Sequence, residues 1–257
     1  MTTQPPAPLA ELADATATAR GAAIVVMARS PDGPRAPKSR LARVLPSEHD
    51  RRTLYAAFLA DMVAMSRSIE GATVRVAYTP DGGAGGFDRI GVTNQELVPQ
   101  RDGNLGDRER GVFEDLFHQG YSPVVMIGSD LPTLPPARVV EALTLLKADP
   151  RRVVLGPATD GGYYLLGLGV ARSAPSVPDL FSDVRWSTAS TLADTLAAAT
   201  RCGRRVTLLD AWHDVDDDVD LARLRQELVH AGGGADRRAP RTSAVLSSFD
   251  ADPRRWG

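Results

Sequence analysis

Residues 123–134 read PVVMIGSDLPTL, an apolar run rich in β-branched residues that leads into a turn with one acid. The run from Pro123 to Gly128 predicts a buried strand, and a helix is predicted to begin near Pro135. Asp130 would then follow the carboxyl end of a strand, the edge at which open α/β sheets bind their ligands. An acid at that edge is better placed for chemistry than an acid on the face of a helix.

The same alternation of short apolar runs and helical stretches continues on both sides of this strand. Further strands are predicted at 22–28, 73–78, 153–155, 163–168 and 206–209, and helices at 47–68, 105–117, 188–199 and 219–229. This order predicts a single three-layer α/β domain over residues 21–230, with a mostly parallel, twisted sheet between helices on both faces.

The composition restricts the classes of partner. The chain has 257 residues and a formal net charge of -2, so it lacks the basic surplus that a nucleic-acid backbone requires, and we expect no nucleic-acid partner. No segment approaches the length of a membrane span. The single cysteine, Cys202, cannot form an internal disulfide, which favours a reducing, cytoplasmic compartment.

Both ends of the chain have compositions that predict disorder. Residues 1–20 are rich in Ala, Thr and Pro, and they lack the basic start and apolar run of a signal peptide. Residues 231–257 combine a glycine run with Arg, Pro and Ser, which offers little apolar area to offset the entropy of ordering. We therefore expect a disordered lead and a flexible C-terminal tail.

A basic loop follows the first predicted strand. Residues 29–40 read RSPDGPRAPKSR and contain four cations, Arg29, Arg35, Lys38 and Arg40. The prolines restrain this loop, and Lys together with bidentate Arg suits phosphate oxygens. The alternative is a solvated surface loop, but the position after a buried strand favours a phosphate site. The Walker A pattern is absent.

Two acidic segments could share a divalent cation. Mg²⁺ prefers carboxylate oxygens and often bridges them to substrate phosphates, and Asp130 is the strongest candidate ligand. Residues 214–220 read DVDDDVD, and on an extended segment Asp214 and Asp216 would point the same way, toward a metal shared with Asp130. The alternatives are a turn cap at Asp130 and a helix N-terminus for the later acids.

Two turns that contain glycine are further candidates for ligand contacts. Asp160, Gly161 and Gly162 would let backbone approach a ligand, with the Asp160 carboxylate accepting a hydroxyl, although a plain hairpin is the alternative. Gly106 and Arg108 open a predicted helix whose amides could meet a base or phosphate, or could simply form a turn. The histidines lack metal-ligand spacing, and no G-x-S-x-G elbow is present.

Taken in chain order, these segments resemble a known family. The segments are MARSP, PKSRLA, QRDGNLGDR, GSDLPTL, LGPATDGGYYLLGL, WST and DVDDDVDL. From Ala22 to Leu228 the chain resembles the bacterial GT-A-fold, nucleotide-diphospho-sugar-transferase-like proteins related to 2-phospho-lactate guanylyltransferase. GSDLPTL and DGGYYLLGL are the most specific stretches.

The resemblance implies a nucleotide at the carboxyl edge of the sheet and Mg²⁺ or Mn²⁺ held by Asp130 and Asp216. Lys38 and Arg40 match the family's basic pair and would be catalytic together with Asp130. The residues expected to contact substrate are Arg29, Arg35, Gly106, Arg108, Ser129, Asp160, Gly161 and Gly162. The chain departs from the family's late D-T-P-E-D-L motif, because residues 216–221 read DDDVDL, and its early loop contains only Gly33 where the family is glycine-rich.

Two reactions fit these residues. In nucleotidyl transfer, a small phosphate or phosphonate acceptor attacks the α-phosphorus of a nucleoside triphosphate, and pyrophosphate leaves. In glycosyl transfer from a nucleotide sugar, a nucleoside diphosphate leaves and Asp160 would orient or deprotonate an acceptor hydroxyl. The basic loop favours nucleotidyl transfer, because several cations suit a pyrophosphate leaving group. A non-catalytic nucleotide-binding subunit is a third hypothesis, and the presence of both metal acids argues against it.

Overall fold

The computed structural model describes residues 20–79, 81, 83–171, 176–230 and 237–257. Seven strands lie in these ranges: β1 (Gly21–Ala28), β2 (Ala72–Tyr78), β3 (Leu97–Pro99), β4 (Tyr121–Gly128), β5 (Val153–Pro157), β6 (Tyr163–Leu168) and β7 (Val206–Leu208). They form one sheet in the order β3-β2-β1-β4-β6-β5-β7. Only β6 runs against its neighbours, so the sheet is mostly parallel, as predicted.

Six α-helices accompany the sheet in the same ranges: α1 (Glu48–Arg67), α2 (Leu105–His118), α3 (Pro136–Ala148), α4 (Thr191–Arg201), α5 (Asp218–His230) and α6 (Pro240–Asp250). Local capping determines where α1 and α2 begin. The Ser47 hydroxyl accepts the Asp50 amide of α1. At α2, Asn104 and Asp107 each accept the other's backbone amide at 3.1 Å, which is a capping box.

The central strands are covered on both faces. Along β4, Val125 and Ile127 belong to an apolar layer that includes residues of α1 and α3. Val124 and Met126 belong to the opposite layer, which includes residues of α2 and α4. Because successive side chains of a strand point to opposite faces, a strand covered on both sides is apolar throughout. The predicted three-layer arrangement is therefore confirmed.

A third apolar cluster lies apart from these two layers, and we call it the C-terminal cluster. Its buried members are Leu41, Leu45, Leu54, Phe58, Val215, Leu221, Leu224, Leu246 and Phe249. They come from the loop after β1, from α1, from the segment around α5 and from α6. The cluster thus joins parts of the chain that are far apart in sequence.

The prediction of a flexible tail is wrong over residues 237–257. Residues 240–250 form α6, and Leu246 and Phe249 are only 3% and 2% exposed. Composition failed here because these two apolar residues, one helical turn apart, find partners supplied by distant parts of the chain. Residues 231–236 of the expected tail, and residues 1–19 of the expected disordered lead, lie outside the described residues.

Two smaller differences concern strand and helix bounds. The edge strand β3, with three residues, is too short to give a periodic signal and was not predicted. Helix α4 begins at Thr191 rather than at Thr188, because residues 188–190 form a turn in which the Thr188 carbonyl accepts the Thr191 amide. Within the described part of the chain, no helix combines the length and the apolarity needed to cross a membrane.

Candidate active site

A cleft of about 650 Å³ opens at the carboxyl ends of β1 and β4. Its walls come from the end of β1, the basic loop with Lys38 and Arg40, the start of α2 and the turn after β4. Asp216 completes the rim from the segment before α5. This position and size suit a nucleotide-sized ligand.

Lys38 lies between two acids that are distant in sequence. Its Nζ donates to Asp130 Oδ2 at 2.6 Å and to Asp216 Oδ1 at 2.8 Å. The Lys38 side chain is 5% exposed, whereas those of Asp130 and Asp216 are 27% and 41% exposed. Arg40 reaches Asp216 Oδ2 at 3.5 Å from the solvent side. The predicted basic pair and the predicted metal acids therefore meet in one place.

The electrostatics of Lys38 follow from this geometry. Burial by itself would lower the pKa of Lys38, but the charges of Asp130 and Asp216 outweigh burial and raise the pKa above its ordinary value. The backbone of Lys38 adopts a left-handed conformation, with φ 53° and ψ 41°. A non-glycine residue keeps such a conformation only when its surroundings impose it. The ammonium group is thus a fixed charge at the centre of the site.

Asp214 joins the same group of acids. Carboxylate oxygens of Asp130, Asp214 and Asp216 lie within 4.8 Å of one another. The intervening Val215 is buried, and its amide donates to the Asp130 carbonyl at 3.1 Å, so the two flanking acids face the site. Burial and then the charges of Asp130 and Asp216 raise the pKa of Asp214 to about 6. Three oxygen donors at this spacing fit the ligand preference of Mg²⁺ or Mn²⁺.

Two buried polar side chains that sequence reasoning missed hold the floor of the cleft. The Tyr55 hydroxyl accepts the Arg29 amide at 2.8 Å and lies 3.2 Å from Ser129 Oγ, so it ties α1 to the ends of β1 and β4. Gln100 Nε2 donates to the carbonyls of Ala77 and Ala28, which joins β2 to β1. The sequence does carry a signal for Tyr55, because a phenol on an apolar helix face has a buried hydroxyl that needs a hydrogen-bond partner.

The structure brings only some of the predicted substrate contacts into the cleft. Arg29, Arg108 and Ser129 line it. Arg35 is exposed on the basic loop and lies outside the lining. Gly106 lies beneath the ring of Trp186, where an added Cβ would come within 2.4 Å of the indole, so its small size serves packing.

The Asp160 turn also lies outside the cleft lining. The Asp160 Oδ1 accepts the Gly162 amide at 2.9 Å, which closes the turn between β5 and β6. Gly161 has φ +92° and approaches the backbone of Ala189, so a side chain would be excluded there. These contacts match the hairpin interpretation. Asp160 is still close enough for its charge to contribute to the raised pKa of Asp214.

Comparison with known proteins adds an independent line of support. The family described as "Uncharacterized protein conserved in bacteria" (DUF2064) matches residues 62–188. The 2-phospho-L-lactate guanylyltransferase of Halobacterium salinarum (strain ATCC 29341 / DSM 671 / R1) is 30% identical over 213 residues, which cover 79% of this chain and 89% of that protein.

Two solved structures are similar over most of the chain. A protein of Desulfovibrio desulfuricans G20, assigned to the nucleotide-diphospho-sugar transferases, has a TM-score of 0.76 at 29% identity and covers 91% of this chain and 96% of its own. A cytidylyltransferase of Leptospira borgpetersenii serovar Hardjo-bovis (strain JB197) has a TM-score of 0.51 at 12% identity, with coverage of 92% and 96%, and shows the fold alone.

These similarities agree with the site and with the order of the motifs along the chain. They make the protein a transferase, and at the level of class a nucleotidyltransferase. The chain belongs to the bacterial family of GT-A-fold, nucleotide-diphospho-sugar-transferase-like proteins related to 2-phospho-L-lactate guanylyltransferase.

Proposed function

We propose that this protein is a Mg²⁺-dependent nucleotidyltransferase that transfers a nucleoside monophosphate from a nucleoside triphosphate to a small phosphate or phosphonate acceptor. The observation that carries the proposal is the meeting of Lys38 with Asp130 and Asp216 in one cleft at the carboxyl edge of the sheet. The 30% identity to a guanylyltransferase over 89% of its length supports the same reaction class.

In this proposal the acids bind the metal and the cations bind the phosphates. Asp130 and Asp216, with Asp214 beside them, would hold Mg²⁺ or Mn²⁺, which when bound supplies positive charge to phosphoryl oxygens. Lys38 and Arg40 would contact the phosphates that form the leaving group. Arg29, at the start of the basic loop, and Arg108, on α2, line the same cleft and would orient the nucleotide.

The reaction needs no nucleophile from the protein. An oxygen of the acceptor forms a bond to the α-phosphorus, and the bond between that phosphorus and the α,β-bridging oxygen breaks. Pyrophosphate leaves with the electron pair of the broken bond. The Lys38 ammonium and the Arg40 guanidinium would stabilise the negative charge that develops on the pyrophosphate.

Glycosyl transfer from a nucleotide sugar is the second candidate. The structural similarity to a protein assigned to the nucleotide-diphospho-sugar transferases favours it. The Asp160 carboxylate, which would act on the acceptor hydroxyl in that reaction, instead accepts the Gly162 amide and lies outside the cleft lining. We therefore place nucleotidyl transfer first.

The test pairs ligand binding with turnover. Thermal unfolding with Mg²⁺ and each nucleoside triphosphate or nucleotide sugar identifies the donor, because a ligand of the native state raises the melting temperature. Release of pyrophosphate on adding phosphorylated acceptors supports nucleotidyl transfer. Release of a nucleoside diphosphate from a nucleotide sugar supports glycosyl transfer. Stabilisation by no nucleotide of either kind contradicts both proposals.

Asp130→Asn tests the site itself. We expect the variant to fold and to lose about 100-fold or more of the metal-dependent turnover, because the side chain contacts Lys38 and would hold the proposed metal. Asp217→Asn is the matched control, since the Asp217 carboxylate accepts the amides of Val219 and Asp220 and caps α5. Equal activity of wild type and Asp130→Asn would refute the site.

A further inference from the structure

We infer that residues 240–257 act as a brace that holds the Lys38 loop and the Asp214–Asp216 segment in position, so that these residues control substrate binding without touching the cleft. The expected effect on substrate binding rests on the proposed function. The claim that residues 240–257 hold the loop and the acidic segment in a fixed conformation is tested without any substrate.

The brace supports the loop from beneath. Leu41 and Leu45, which follow Lys38, are 0% exposed and belong to the C-terminal cluster together with Leu246 and Phe249 of α6. The backbone amide of Gly257 donates to the Val44 carbonyl at 3.1 Å. The short helix Ser39–Arg43, which begins directly after Lys38, is therefore buried against a cluster that combines residues of the C-terminal segment with residues of α1 and α5.

The brace also supports the acidic side of the site. Val215, between Asp214 and Asp216, is 1% exposed and belongs to the same cluster, as do two leucines of α5. The guanidinium of Arg225 on α5 lies 4.5 Å from the centre of the Trp256 ring and pairs with Asp250 at 2.6 Å. The chain around Lys38 and the chain around Asp216 are thus both connected to the C-terminal segment, through the C-terminal cluster and through the contacts of Arg225.

Specific polar contacts dock the brace onto α1. The Asp61 carboxylate is 0% exposed and accepts the amides of Arg241 and Thr242 at 3.1 and 2.8 Å, which caps the start of α6. Arg255 pairs with Asp50, another buried acid of α1. A buried carboxylate without partners is unfavourable in free energy. These pairs therefore favour a single docked position of the C-terminal segment on α1.

A loop that must hold a charge in place needs such support. Lys38 keeps a left-handed backbone and a buried ammonium, and displacement of a binding group by about 1 Å can lower turnover about 100-fold. Leu41 and Leu45, which follow Lys38, are buried in the C-terminal cluster together with residues of α1, α5 and α6. Loosening the brace should therefore loosen Lys38 and Asp216 together.

The test uses Phe249→Ala and Trp256→Ala in the full chain, with Phe249→Leu as the milder variant in case the first fails to fold. We expect faster amide hydrogen exchange in residues 38–46 and 214–217, with little change in β1 and β4. We also expect KM for the donor to rise about tenfold or more, with partial rescue in Phe249→Leu.

Two controls separate positioning from general loss of stability. Ser247→Ala changes an exposed residue of α6 and should leave exchange unchanged. Leu146→Ala opens a cavity between α3 and the sheet, away from the C-terminal cluster, and should lower the melting temperature without selectively raising exchange at 38–46.

Each outcome decides one claim. Equal exchange at 38–46 in Phe249→Ala, Trp256→Ala and wild type would overturn the brace. Faster exchange confined to 38–46 and 214–217 supports the brace, even if the wild type binds no nucleotide. In that case only the proposed function fails. Selective loosening with an unchanged KM would overturn the claim that the brace controls substrate binding.

Discussion

Lys38 lies in the cleft between two carboxylates and beside a second cation, Arg40. Its ammonium lies 2.6 and 2.8 Å from carboxylate oxygens of Asp130 and Asp216, the same two acids that are proposed to bind the metal. An ammonium group and a divalent cation compete for such oxygens, because both neutralise the same negative charge. The triphosphate of the proposed donor would supply an alternative partner for Lys38, so we expect nucleotide and metal to bind in a mutually favourable way.

Replacement of Lys38 by methionine tests this competition. Lys38→Met keeps most of the side-chain volume but removes the charge between the two acids. We expect Mn²⁺ to bind at least about tenfold more tightly in the absence of nucleotide, because one neighbouring positive charge is gone. Nucleotide affinity should fall. Calorimetric titration with Mn²⁺ measures the first effect without any turnover.

Arg40→Met provides the comparison for that titration. The Arg40 guanidinium is 3.5 Å from Asp216 and its side chain is 75% exposed, so its loss should change Mn²⁺ affinity less than the loss of Lys38. Mn²⁺ affinity that stays the same or falls in Lys38→Met would refute competition between Lys38 and the cation.

At the scale of elements, the start of α2 depends on one close packing contact. The capping box of Asn104 and Asp107 sets where the helix begins, and Gly106 then lies against the Trp186 ring. Trp186 stacks on Phe181, with ring centres 6.2 Å apart. The next residue, Ser187, has φ 59° and lines the cleft. Packing on α2 therefore fixes one edge of the cleft.

Gly106→Ala should disturb that edge. The new methyl group would lie about 2.4 Å from the indole, so Trp186 and Ser187 must move. We expect a loss of roughly 1–3 kcal/mol in the free energy of unfolding, together with weaker nucleotide binding. Chemical denaturation measures the first effect, and nucleotide titration measures the second.

Gly111→Ala on the same helix is the matched control. There the atoms nearest to the added methyl group belong to the Arg101 side chain, with Cδ at 2.7 Å, and this half-exposed side chain can move toward solvent, whereas the Trp186 ring is packed against Phe181. Alanine also has a higher helix propensity than glycine, so this variant should be less destabilised than Gly106→Ala. A similar loss in the two variants would contradict the role of the Trp186 contact.

At the scale of the whole molecule, one buried acid makes stability depend on pH. Glu109 of α2 is buried, and its carboxyl group lies 2.6 Å from the Tyr163 hydroxyl of β6. Burial raises the pKa of Glu109 from 4.5 to about 7, although the hydrogen bond from Tyr163 opposes the change. The folded protein therefore keeps the Glu109 proton at pH values where the unfolded chain has lost it.

The sign of the effect follows from proton linkage. As the pH rises from 4.5 to about 7, the unfolded state is increasingly favoured, and this group should cost roughly 3 kcal/mol of unfolding free energy across that interval. Below pH 4.5 the penalty is absent, and above pH 7 it is constant. Glu109→Gln should remove it.

Urea denaturation of wild type and Glu109→Gln at several pH values between 4.5 and 7 measures this difference. Other carboxyl groups contribute equally to both proteins. The effect of Glu109 is therefore the difference between the two proteins in the slope of unfolding free energy against pH. We expect the wild type to lose stability relative to the variant as the pH rises. Parallel curves would show that Glu109 does not titrate in this range.

Much of this molecule follows from local sequence. Short apolar runs predicted six of the seven described strands, and the starts of the first five described helices were predicted within a few residues. The turn at Asp130 was placed correctly because a parallel strand delivers its next residues to the carboxyl edge of the sheet. Cations and acids suited to phosphate and metal were also evident from residue type alone.

Long-range packing decided what the sequence left open. Lys38 contacts acids that lie 92 and 178 positions away, so no local pattern states that its ammonium comes between them. Long-range packing also explains why residues 240–250 form a docked helix, and only the tertiary structure shows that Arg35 and the Asp160 turn lie outside the cleft lining. The sequence by itself determined the elements and the chemical groups of the site, because periodicity and residue type are local properties. Only the tertiary structure decided which groups meet, because that depends on apolar partners supplied by distant parts of the chain.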